Sequence, residues 1–147
     1  MKFLFCGGLP CAEWFLAESS ILVKITSIKL KVVCGHLVRY MIDGVDNSEK
    51  IYQTLETSGF STDEIKSILA SLDYILNNSV RYEVKDTVLL KELIDLGLPK
   101  ENCESIVKVF RENLEKLKEK KLNSIFKLGT LDDFDYSVGQ VLFAKHL

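Results

Sequence analysis

Proline and histidine are scarce in this chain, two of each in 147 residues, beside a single tryptophan. Apart from Pro10 and Pro99, then, no residue forbids a helix outright. His36 and His146 are too few for a histidine-rich metal centre, and His146, next to the last residue, sits where a terminus frays. No run of about 18 apolar residues occurs, so no membrane-spanning helix is expected. The opening MKFLFCGGLP has one lysine and a short apolar burst broken by Gly7, Gly8 and Pro10, far short of the apolar core of a signal peptide. Neither sign of charge is in excess: the net charge of -2 gives no argument for nucleic acid or an anionic membrane surface. There is no Cys-x-x-Cys, no glycine-rich loop leading into a helix, and no serine or cysteine in a nucleophile elbow. The adjacent pair Asp132 and Asp133 reads as a solvated turn rather than as an acid–base dyad. No catalytic residue, cofactor or metal is expected.

The four cysteines, Cys6, Cys11, Cys34 and Cys103, lie mostly within helical patterns and read as reduced thiols of a cytoplasmic protein. A zinc set from Cys6, Cys11, Cys34 and His36 is conceivable by composition. Residues two apart on a helix point about 200° apart, however, so Cys34 and His36 do not converge on one ion. A packed core histidine is the expectation for His36, one helical turn from Val32 and from Tyr40.

What the chain does have is helical periodicity. With 47% hydrophobic and 27% charged residues it suits one globular domain with an appendage. Residues 11–23 form an expected first helix, with Trp14, Phe15, Ala17, Ile21 and Leu22 on one face and Trp14 as a core anchor. Residues 27–42 are apolar on most sides, which predicts a central, buried second helix ending at Gly44. A short third helix spans 48–58 and is capped by Asp46 or Asn47. Ser61-Thr-Asp-Glu64 is a capping box opening the fourth, whose stripe is Ile65, Ile68, Leu69, Leu72, Ile75 and Leu76. The fifth spans 87–96, with Leu89, Leu90, Leu93 and Ile94 inward. Pro99 starts the sixth, striped by Cys103, Ile106, Val107, Phe110, Leu114 and Leu117, and ending in a solvated basic stretch over 116–121.

The last stretch reads differently. Phe134, Tyr136, Val138 and Leu142 recur at a period of two, interrupted by Gln140, with Asp133, Asp135, Ser137 and Gly139 between them. That is a strand with one apolar face. A short strand over 125–128, turned back at Gly129, would precede it. An isolated hairpin is marginal in water and its edges invite another chain. The expected organisation is therefore a six-helix N-terminal domain over 1–122, then a linker and strand-forming tail over 123–147. Phe134, Tyr136, Val138, Val141, Leu142 and Phe143 would make the apolar contacts with a partner.

Several stretches carry a family resemblance. FCGGLPCAEWFLAESSILVKITSIKLKVVC, LGLPKE at 96–101, and Asp135-Tyr136 in the tail are similar to the COMM-domain proteins. The resemblance implies a mainly α fold: a six-helix N-terminal bundle followed by the beginning, in short β-strands, of an α+β COMM domain. It implies a non-catalytic adaptor that interlocks with other COMM-domain proteins in a hetero-oligomer. It also implies coiled-coil partner subunits in the Commander complex, a cytoplasmic and endosome-associated location in cargo recycling, and links to NF-κB regulation and copper. The chain departs from the family's pattern twice. Phe134 stands in the region where a tryptophan often begins the strand, and the sequence stops at His146-Leu147, so a shortened COMM domain is expected. Two other readings remain: a free-standing helical binding module with its tail folded back, and a thiol or zinc protein using Cys6, Cys11 and Cys34.

Overall fold

The computed structural model describes residues 2–128, with side chains described through residue 121. It contains six α-helices: α1 (Glu13–Glu18), α2 (Ser27–Asp43), α3 (Ser48–Glu56), α4 (Thr62–Arg81), α5 (Asp86–Leu96) and α6 (Lys100–Leu128). Two 3-10 turns, Leu4–Cys6 and Ser19–Val23, flank α1. Among the described residues the one β feature is an isolated antiparallel bridge between Lys2 and Pro10.

The boundaries follow from local chemistry. Ser61 accepts the Glu64 backbone N–H at 3.2 Å while Glu64 Oε1 accepts the Ser61 N–H at 3.0 Å, the reciprocal pair that the sequence predicts. Asp46 Oδ1 accepts the Ser48 N–H at 2.9 Å, so Asp46, not Asn47, supplies the side chain at the start of α3. Gly44 closes α2 at φ 70°, a left-handed turn that costs glycine nothing.

The expected first helix is divided. Its α-helical part is only six residues long, and residues 19–23 tighten into a 3-10 turn. Phe15 and Leu22 point into the core, but Trp14 is 44% exposed and is no core anchor. Trp14 instead lies edge-on against Phe15 and Tyr74.

The core is built by α2, α4 and α6. Helix α2 packs along α6, α5 lies against α6, and α4 is covered by α1 and the two 3-10 turns. Leu30, Val33, Leu37, Leu55, Ile65, Leu72, Ile75, Leu89, Leu93, Ile106 and Phe110 are essentially inaccessible to solvent. Helix α2 is nonetheless not enclosed on all sides: Ile28 is 78% and Val32 43% exposed. Ile94 on α5, expected to face inward, is likewise largely exposed. One side of each of these helices has no neighbour among the described residues, which their composition alone does not reveal.

Two long-range polar contacts tie the ends of the bundle. The buried Asn102 amide donates to the carbonyls of Leu22 at 2.8 Å and Ile25 at 3.1 Å. Those carbonyls end the 3-10 turn and lead into α2, where helical partners run out. Ser105 Oγ donates to the Ser27 carbonyl at 3.1 Å.

Helix α6 continues through residues 123–128, so the short strand expected over 125–128 is helical instead. No glycine or proline stands between Pro99 and Gly129, so nothing in the backbone forces the helix to stop earlier. The second expected strand, over 134–143, lies outside the described residues.

Candidate interaction surface and family

The predicted contact residues Phe134, Tyr136, Val138, Val141, Leu142 and Phe143 all lie outside the described residues. The site that the described residues do build is at the opposite end of the sequence. There, residues 2–15 form a clasp laid over α4 and α5.

Glycines at 7 and 8 give this segment its turn. Both have positive φ, 74° and 75°, and the chain doubles back so that Pro10 pairs with Lys2. A side chain at Gly7 would also collide with Tyr82, whose ring lies 2.8 Å from where its Cβ would stand. The doubling back brings the Cα atoms of Cys6 and Cys11 to 5.6 Å, and their sulfurs are joined in a disulfide. The expectation of four reduced thiols is therefore corrected. Sequence separation is no guide here; the paired glycines supply the approach.

Polar side chains from the helices then hold the clasp down. Glu92 of α5, almost fully buried, accepts the Leu4 N–H at 2.6 Å and the Phe5 N–H at 3.1 Å. These are amides of the first 3-10 turn, which no helical carbonyl can reach. Tyr74 Oη of α4 accepts the Ala12 N–H at 3.0 Å and lies 3.7 Å from Cys6 Sγ. Aromatic rings complete the seat. Phe15 stacks on Tyr74 with centroids 4.4 Å apart, Trp14 meets Tyr74 edge-on at 5.3 Å, and Phe5 meets Phe15 edge-on at 6.0 Å. Such pairs contribute about 0.5–1.5 kcal/mol each beyond the area they bury. The outer surface of the clasp is apolar, with Leu4, Leu9, Trp14 and Tyr82 exposed. A groove of about 610 Å³ runs beside it, bordered by Phe3, Val88, Lys91 and Asp95.

The remaining cysteines are of another kind. Burial pushes the Cys34 thiol up to about 12 and the Cys103 thiol up to about 11, so neither ionises near neutral pH. Cys103 donates weakly to the Leu98 carbonyl at 3.6 Å. His36 is half-exposed on α2 and not packed in the core as expected. Partial burial, and secondarily the charges of Lys50 and Arg39, hold its pKa below the usual value. Among the described residues no three His, Cys, Asp or Glu side chains gather into a metal site. The zinc set of Cys6, Cys11, Cys34 and His36 does not form there. No helix among them is long and apolar enough to cross a membrane.

The signal for the clasp was present in the sequence as Gly7-Gly8 between two cysteines, but its anchors, Tyr74 and Glu92, are more than 60 residues away. Nothing local marks them.

Comparison with known proteins bears on most of this bundle. Residues 9–110 match the family model described as COMMD2-7/10, HN domain. COMM domain-containing protein 4 of Dictyostelium discoideum is 34% identical over 119 residues, an alignment covering 80% of this chain and 67% of that protein. The match takes in the second half of the clasp and every helix from α1 to α5, and on these grounds the chain belongs to the COMM-domain family.

Proposed function

We propose that this chain is a non-catalytic adaptor subunit that assembles with other COMM-domain proteins. The observation that carries the reading is the family match over residues 9–110, which covers most of the helical bundle. In this reading the bundle is one domain and the tail is the pairing element. Phe134, Tyr136, Val138, Val141, Leu142 and Phe143 supply its apolar contacts, and an extended backbone edge supplies hydrogen bonds. The assembly is the Commander complex with its coiled-coil subunits, in the cytoplasm and at endosomes, where it supports cargo recycling and contributes to NF-κB regulation.

Co-expression of the tagged chain with a full-length COMM-domain protein tests this, with the mass of the eluted complex as the readout. The intact chain brings the partner down; a form ending at Leu128 does not. Tyr136→Asp with Val138→Asp likewise abolishes pairing while the far-ultraviolet circular dichroism keeps its helical signal. If the intact chain elutes as a monomer alongside an unbound partner, the adaptor reading fails. A bundle that instead captures the partner without residues 129–147 shifts the site to the helices, where Ile28 and Val32 offer an exposed apolar strip on α2.

A further inference from the structure

We propose that Cys6–Cys11 is a reversible thiol–disulfide exchange site for a dithiol reductant, and that its redox state sets how firmly the N-terminal clasp is held on α4 and α5. The inference does not depend on the adaptor reading.

Four observations carry it. First, the pair is isolated as a couple. Cys34 and Cys103 are deeply buried in the bundle and do not compete with it for exchange. Second, the loop that carries the bond is at the surface. Cys6 and Cys11 are themselves nearly covered, with Cys6 Sγ against Tyr74 Oη, but residues 7–10 between them are all exposed. Local lifting of that loop off Tyr74, with the bundle still folded, is the route by which a reagent reaches the sulfurs. Third, the loop that the bond closes is short, with a sequence separation of 5. Cross-linking so short a loop restricts the unfolded chain less than closing a long one would, so breaking the bond costs the bundle comparatively little global stability. Fourth, the bond joins the two ends of what it holds. Cys6 adjoins the amides of Leu4 and Phe5 held by Glu92, and Cys11 adjoins the amide of Ala12 held by Tyr74. With the bond intact, these anchors act on one closed unit. With it broken, the halves are joined only by the Lys2–Pro10 bridge, turn hydrogen bonds and ring packing, and each anchor holds its own half less firmly.

The chemistry balances with one dithiol. A thiolate of the reductant attacks one sulfur, the S–S bond breaks, and a mixed disulfide forms as the other sulfur leaves as a thiolate. The reductant's second thiolate then displaces the protein sulfur. Two electrons and two protons end on Cys6 and Cys11 as thiols, and the reductant leaves as its own disulfide. The surface under control is the exposed apolar set Leu4, Leu9 and Trp14 of the clasp, next to Tyr82 at the end of α4.

The test uses the purified full chain equilibrated across ratios of reduced to oxidised dithiothreitol, then quenched in acid, denatured and alkylated with iodoacetamide. Intact mass should show two alkylated cysteines at the oxidising end and four at the reducing end, with a single two-electron midpoint. Four alkylated cysteines at every ratio would overturn the proposal. Hydrogen exchange on the same samples reads the second half of the claim. The amides of Phe5 and Ala12 should exchange at least tenfold faster after reduction, with α4 and α6 unchanged; equal rates in the two states defeat it. Cys6→Ser with Cys11→Ser should match the reduced chain in both buffers, and slow exchange like that of the oxidised chain would also count against the proposal. Should that variant fail to fold, the reduced wild-type chain supplies the same comparison.

Discussion

Replacing Asn102 by alanine is the sharpest probe of how the bundle is fastened. Its amide serves two carbonyls at once, Leu22 O at 2.8 Å and Ile25 O at 3.1 Å, and the residue is 4% accessible. Alanine removes both donors and leaves two acceptors in a space too confined for bulk water to repair freely. A net hydrogen bond is worth about 1 kcal/mol, and a buried acceptor left unmet costs about 1–3 kcal/mol. Partial relaxation of the 3-10 turn toward solvent will reduce the second penalty, so the expected loss is about 2–4 kcal/mol. At roughly 3–4 °C per kcal/mol for a chain near this size, the melting midpoint should fall by about 6–16 °C. Urea unfolding followed by circular dichroism at 222 nm gives the free energy, and an unchanged slope would show that the unfolded state is the same. The matched control is Asn113→Ala. Asn113 also donates to a carbonyl, Val109 O at 2.8 Å, but that carbonyl belongs to its own helix and the site is partly solvated. Its loss should stay below about 1 kcal/mol. If Asn102→Ala costs no more than Asn113→Ala, the two carbonyls find other partners and the fastening role is refuted.

Three further outcomes follow from the same geometry. Ser61→Ala removes one half of the capping box and should cost about 1 kcal/mol in urea unfolding, while Thr62→Ala, beside it, should cost much less. His36 has a folded-state pKa below its unfolded value, so in that window the unfolded chain binds more protons and stability falls as the pH drops through about 6.5. Stability measured from pH 7.5 to 5 should therefore decline less steeply in His36→Gln than in the wild type; identical slopes would show that His36 does not contribute. Cys34 and Cys103, with thiols pushed up to about 12 and about 11, should resist iodoacetamide in the folded protein for hours at pH 8 and react fully in urea. Rapid labelling of either without denaturant would contradict their burial.

The sequence by itself determined the helical content and most helix boundaries. That information is local: the Ser61–Glu64 box, Gly44 and Gly97 as left-handed stops, Pro99 at a first turn, and apolar residues three and four apart are each readable within a few positions. It also carried the family, through a cluster of residues in the first third of the chain. What only the tertiary structure decided is which side of each helix has a neighbour. Helix α2 is apolar nearly all round, yet Ile28 and Val32 face outward because α3, α4 and α6 cover only its other sides. Trp14 is large and apolar but lies at the surface, edge-on to Tyr74, while the inward positions go to Phe15 and Leu22. The clasp was hidden for the same reason. Its disulfide depends on how two glycines turn the chain, and its anchors Glu92 and Tyr74 come from helices far along the sequence. Periodicity reports the shape of one element at a time; the pairing of elements depends on contacts between residues that no local pattern connects.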